Sequence, residues 1–181
     1  MQNRQAFEEI YKQYHLMVYN LSLHYLQNVE DAEEITQDVF VKLHHSLDKF
    51  EQKSALKTWI YRITINACLD SLKRRKSKKH FFVFGQRSGD ENQAERIATF
   101  EHPGILLENK EKAELLFAQI NTLPENQKTA FILSKLDGLS NPEIAAVMDT
   151  SVSAVESLVF RAKSALREKL AQKFEQQHKK K

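Results

Sequence analysis

Residues Leu139 to Leu170, LSNPEIAAVMDTSVSAVESLVFRAKSALREKL, constrain the fold more than any other stretch. They read as two helices around a tight turn. Asn141 is one candidate cap for the first helix, with Pro142 at the first helical position. Ser140, with Glu143 three residues on, is the rival. Ile144, Val147 and Met148 then form an apolar stripe. Asp149-Thr150-Ser151 interrupts it, and Asp tolerates the left-handed backbone of a tight turn. Ser153 and Glu156 make a second capping-box pattern. Val155, Leu158, Val159, Ala162 and Leu166 repeat at helical spacing. The opposite face carries Ser157, Phe160, Arg161, Ser164 and Arg167, with Lys163 beside it. A short helix, a tight turn and a polar, basic second helix suit the DNA major groove. An ordinary helical hairpin with a solvated basic face is the plainer reading.

The rest of the chain is helical by the same logic. Four Gly and three Pro in 181 residues leave little punctuation for strands and hairpins. Phe7 to Leu26 repeats apolar residues at Phe7, Ile10, Tyr11, Tyr14, Val18, Leu21, Tyr25 and Leu26. Asp31 to Leu47 does so at Ala32, Ile35, Val39, Phe40, Leu43 and Leu47. After a polar break around Phe50, Ser54 is placed to cap a helix running to about Lys76. That helix carries Trp59, Ile60, Ile63, Cys68, Leu69 and Leu72. Ile105 to Leu123 restarts a helix, Pro124 begins another, and Gly138 stops it. The expected organisation is all-α: two small helical domains, 1–76 and 107–181, joined by a flexible linker over 77–106. Glycines, Pro103 and many polar residues mark that linker. The run Phe81-Phe82-Val83-Phe84 sits badly in a free linker; it docks on a domain or a partner, or forms a short buried strand.

The net charge is only +3, but its distribution is uneven. Gln27 to Asp38 holds five acids and no base. Lys57 to Lys79 holds eight bases against Asp70, and Arg161 to the end holds eight against Glu168 and Glu175. Two basic blocks separated by acidic ones point to two contacts with a polyanion and a separate surface for another partner. Any single block is commonly a solvated helix face; both together are less easily read that way.

Other classes find little support. A lone cysteine, Cys68, excludes an internal disulfide and a multi-cysteine zinc site, and it falls on an apolar stripe as a core thiol. The N-terminus lacks the pattern of a secretory leader. The longest run without Asp, Glu, Lys or Arg, Gln13 to Val29, is too short and too polar to span a bilayer. A cytoplasmic location without membrane insertion is expected. Phosphate-binding glycine loops, nucleophile elbows and His-Glu-x-x-His are missing, so neither catalysis nor a cofactor is expected. His44-His45 has no nearby Cys and suits a solvated pair better than a metal site.

The first basic block lies on a helix with Lys57, Arg62, Lys73, Arg74 and Arg75, whose charges suit phosphates. Phe50, Trp59 and Tyr61 lie near it. Aromatics among basic residues can hold unstacked bases, although Trp59 serves equally well as core.

At these residues the chain resembles the bacterial extracytoplasmic-function sigma factors, small promoter-specificity subunits of RNA polymerase. The likeness runs through DAEEITQDVFVKL, TWIYRITINACLDSLKRR, LPENQKTAFIL, GLSNPEIA and AVESLVFRAK, in family order. The resemblance implies core RNA polymerase and promoter DNA as partners, and usually an anti-sigma protein. It implies that Glu34, Gln37 and Asp38 meet the clamp helices of the polymerase largest subunit. It assigns reading and melting of the minus-ten element to the loop Lys49 to Ala55, with Lys49, Phe50 and Lys53. The helix behind adds Lys57, Thr58, Trp59, Arg62, Asn66 and Arg74. It assigns the minus-thirty-five element to Ser153, Glu156, Ser157, Phe160, Arg161 and Lys163.

Two departures stand out. Glu156 and Leu158 replace Lys or Arg of many members; Glu156 completes a capping box or accepts from cytosine. Ile60 stands where housekeeping sigma factors carry a second Trp, which implies weaker melting and a stricter promoter requirement. The competing readings are a stand-alone helix-turn-helix regulator with a sensing or dimerising first domain, and an enzyme acting on nucleic acid. Trp59 and Arg74-Arg75 on one helix behind an acidic helix argue against the former, and missing catalytic clusters against the latter.

Overall fold

The computed structural model describes the backbone of residues 2–47, 55–85 and 107–178. All its described elements are helices: α1 (Gln2–Leu26), α2 (Val29–Ser46), α3 (Leu56–Gly85), α4 (Leu107–Ile120), α5 (Glu125–Lys135), α6 (Asn141–Met148) and α7 (Val152–His178). They fall into two units, Met1–His102 and Pro103–Lys181.

In the first unit α1, α2 and α3 pack against one another pairwise. The turn between α1 and α2 is very short. Gln27 takes the left-handed conformation at φ 55°, and its N–H donates to the Leu23 carbonyl at 2.8 Å. Asn28 then caps α2, its Oδ1 accepting from the Asp31 N–H at 2.9 Å. The helix therefore starts two residues before the expected Asp31, because the cap satisfies a donor of the first turn. Ala32, Ile35, Val39, Phe40 and Leu43 form the buried stripe of α2. Val18, Leu21 and Tyr25 meet it from α1, and Ile60, Ile63 and Cys68 from α3. Cys68 is fully buried, as a core thiol should be. The buried Thr64 hydroxyl is satisfied by donating to the Ile60 carbonyl at 2.8 Å.

The third helix runs past the expected end at Lys76 to Gly85. Residues 76–84 contain neither Pro nor Gly, so nothing in the backbone stops the helix until Gly85. The Phe81–Phe84 backbone is helical, which overturns the short strand. The Lys49, Phe50 and Lys53 part of the proposed loop, and the Ser54 cap, lie outside the described residues.

In the second unit α7 packs on α4, α5 and α6. Val155, Val159, Ala162 and Leu166 of α7 are buried with Phe117, Ile120, Ile132, Leu133 and Ile144. Leu158 is only half-buried. Pro124 precedes α5 as its cap residue instead of opening the helix. The buried Lys128 ammonium donates to Asn121 Oδ1 at 2.6 Å, tying α5 to the turn before it. Lys169 of α7 reaches the Thr122 hydroxyl in that same turn.

The helix-turn-helix settles the choice of cap for α6 and corrects the expected cap of α7. Ser140, not Asn141, caps α6: its N–H and Oγ donate to Glu143 Oε2 at 2.9 and 2.7 Å. Pro142 is thus the second helical residue, where its missing donor costs nothing. Asp149 ends α6 in the left-handed conformation, φ 54° and ψ 52°. Ser151, not Ser153, caps α7: its Oγ accepts from the Ala154 N–H at 3.2 Å. Ser153 falls inside the first turn, too late to be the cap.

Gly138 closes α5 at φ +71°, and the Leu139 N–H reaches back to the Leu133 carbonyl at 2.9 Å. An added Cβ there would meet nothing within 4 Å. Gly138→Ala should therefore lose only the left-handed backbone preference, about 1–2 kcal/mol. Denaturant unfolding of the full chain checks this, and an unchanged midpoint would contradict it.

Candidate nucleic-acid and polymerase interfaces

The buried stripe of α7 sets the helix rotation, so the opposite stripe faces solvent. Ser153, Glu156, Ser157, Phe160, Arg161 and Lys163 are all exposed. Phe160 is 71% exposed, an unusual position for a phenyl ring. The Ser157 hydroxyl donates to the Ser153 carbonyl at 3.0 Å, a local bond that a base or phosphate can share. No described acid pairs with Arg161 or Lys163. Two cations, two hydroxyls and an exposed ring therefore line one face, beginning in the first turn after a Ser cap. Such a face can contact phosphates and base edges at once.

On α3 the residues divide. Trp59, Arg62 and Asn66 follow the i, i+3, i+7 spacing of one helix face. Asn66 and Lys57 are exposed, whereas Thr58, Trp59 and Arg62 are half-buried. Trp59 is thus neither fully in the core nor fully in solvent. Arg74 is exposed, but Arg75 is spoken for: its guanidinium pairs with Asp31 at the start of α2. That pair joins residues 44 apart and places a cation beside an acidic first turn. The sequence placed Arg75 in a phosphate-binding block; a fixed partner on α2 makes it a clasp between helices.

Glu34, Gln37 and Asp38 are exposed on α2, opposite its buried stripe. Val41 extends this face and is 57% exposed. It went unnoticed in the sequence, although its place three residues after Asp38 and four after Gln37 was the signal. Asp38 also borders a groove of about 500 Å³ between α2 and α3, with Lys42, Asp70, Lys73 and Arg74 around it. Asp38 and Arg74, assigned to different partners by resemblance, therefore share one groove.

The His44 and His45 rings lie 5.6 Å apart at 88°, and His44 packs edge-on against Phe7 at 5.0 Å. Among the described residues no group of His, Cys, Asp or Glu is placed to hold a metal ion. No described helix is long and apolar enough to cross a membrane.

Comparison with known proteins matches both units. The model of Sigma-70 region 2 covers residues 10–78, and that of Sigma-70 region 4 covers residues 113–166. The ECF RNA polymerase sigma-E factor of Escherichia coli K12 is 33% identical over 179 residues, which is 93% of this chain and 88% of the relative. The RNA polymerase sigma-H factor of Pseudomonas aeruginosa is 30% identical over 174 residues, 91% of this chain and 86% of the relative. In fold, the chain is similar to RpoE from Bartonella quintana, solved with the anti-sigma factor NepR (TM-score 0.69, 22% identity, 92% of this chain and 98% of that one). It is also similar to CnrH, solved with the cytosolic domain of CnrY (TM-score 0.65, 21% identity, 93% and 89%). A stand-alone regulator would not carry both sigma regions in this order at this coverage. The chain belongs to the extracytoplasmic-function sigma factors, transcription regulators that direct promoter-specific initiation by RNA polymerase.

Proposed function

We propose a division of labour among three helix faces. The α2 face of Glu34, Gln37 and Asp38 binds the clamp helices of core polymerase. On α3, Trp59, Arg62 and Asn66 of one face, Lys57 and Thr58 at the start of the helix, and Arg74 farther along it, with the preceding loop, read and hold melted minus-ten DNA. The α7 face of Ser153, Glu156, Ser157, Phe160, Arg161 and Lys163 reads the minus-thirty-five element. The observation that carries this is the complete outward exposure of the α7 set opposite a fully buried stripe. Phe160 offers an apolar surface to a thymine methyl, Arg161 a bidentate fork to guanine, and Lys163 a point charge to phosphate. The acidic α2 face would repel DNA, which supports a protein as its partner. The protein acts by binding in the cytoplasm, takes no covalent step itself and needs no cofactor. An anti-sigma protein completes the partners, on the pattern of RpoE and NepR.

Charge reversal of Glu34 and Asp38 together should weaken capture by core polymerase and leave the fold intact by circular dichroism. Undiminished pull-down by the double variant would remove polymerase from this face. Arg161→Ala should cost about 1–3 kcal/mol on promoter DNA and relax preference at one base. Lys163→Ala should weaken promoter and scrambled duplexes alike and flatten the salt slope. Titration at several salt concentrations separates the two. Trp59→Phe keeps an aromatic ring in the half-buried site, so it should reduce permanganate reactivity of promoter thymines without lowering the melting temperature. Normal strand opening with Trp59→Phe would leave Trp59 as packing alone.

A further inference from the structure

Glu156 is the lone acid between Val152 and Arg167. It sits on the exposed face of α7 with Ser153, Ser157, Phe160 and Arg161. Near DNA a carboxylate meets phosphate charges of its own sign and is stripped of water, so it is unfavourable unless it gains a donor. A capping role would explain it, but Ser151 takes that role through its bond from the Ala154 N–H. The carboxylate makes instead one long hydrogen bond, from Asn141 Nδ2 to Oε1 at 3.5 Å. Asn141 has no capping task either, since Ser140 caps α6. The two residues freed from capping thus face each other across the helix-turn-helix. Asn141 lies at the outer limit of hydrogen-bond distance from one carboxylate oxygen, and among the described residues Oε2 has no protein partner.

Granting that α7 is the promoter-reading helix, we propose that Glu156 is a specificity-determining residue. Its Oε2 accepts a hydrogen bond from the N4 amine of a cytosine in the upstream element. The fifth residue of α7 lies in the part of a recognition helix that meets base edges. Only cytosine and adenine offer the required donor in the major groove. The adenine amine stands between two acceptors, its own N7 and the thymine O4, which repel a carboxylate. The cytosine amine has an acceptor on one side alone, the guanine O6, and a C–H on the other. Cytosine is therefore the better match. The nearby phosphates tax every other base without compensation, so the residue lowers affinity for wrong sequences as well as favouring the right one.

The test is selection of promoter duplexes, randomised across the upstream element, by polymerase reconstituted with the full-length chain. Wild type, Glu156→Ala, Glu156→Gln and Arg161→Ala are sequenced in parallel. Wild type should enrich C·G at one position by about tenfold or more. Glu156→Ala should erase that preference while binding scrambled duplexes more tightly. Glu156→Gln, which can pair with adenine N6 and N7, should move the preference to A·T at the same position. Arg161→Ala should alter a different position. Unchanged base preferences in both Glu156 variants, with affinity raised equally on every sequence, would overturn the assignment and leave Glu156 as a repulsive charge. A wild-type selection with no preferred upstream base would overturn the reading of α7 itself, and this assignment with it.

Discussion

Burial of one stripe of α7 governs everything the second unit presents to its surroundings. Val155, Val159, Ala162 and Leu166 pack against α4, α5 and α6, each burial of a Val or Leu contributing about 1.5–3 kcal/mol. Rotating the helix by one residue, about 100°, would expose this stripe and bury Arg161 or Lys163 without a partner. Both penalties have the same sign, so the rotation is held firmly. The chemistry of the outward face then needs no dedicated support: whatever stands between the buried positions is displayed.

Depth and angle are set by the turns, not by the core. Asp149 reverses the chain in a left-handed conformation, and Ser151 starts α7 two residues later. On the other side, the Ser140 N–H and hydroxyl both donate to the Glu143 carboxylate at the start of α6. Because these caps do their work with Ser140 and Ser151, Asn141 and Glu156 are left to approach one another. A small shift in capping register thus changes which polar groups a partner meets.

The first unit solves a different problem, keeping opposite charges close while pairing only some of them. The acids of α2 and the bases of α3 lie on adjacent helices that share a core. Asp31 and Arg75 pair and join the helices, while Asp38 and Arg74 remain exposed at one groove. A surface pair such as Asp31 with Arg75 contributes at most about 1 kcal/mol, so its importance is in alignment more than in stability. Trp59 is half-buried, between the core and the surface of its unit.

Much of this was legible in the linear chain. Period 3.6 in the apolar residues determined that helices form, and which face of α2 and of α7 is buried; the exposure of Glu34, Asp38, Phe160 and Arg161 follows, because a helix that buries one stripe must show the other. The charge blocks were equally plain, since they are contiguous in sequence. Choices between neighbours were not. Ser140 against Asn141, and Ser151 against Ser153, differ by one or two positions, and geometry of the turn selects among equally suitable side chains. The run of α3 to Gly85 went unread because polar composition resembles a linker when no stop signal is weighed. The pairing of Arg75 with Asp31, and the groove that Asp38 shares with Arg74, belong to tertiary structure alone: they join distant residues by the crossing of two helices, and spacing along one helix carries no information about what lies across from it.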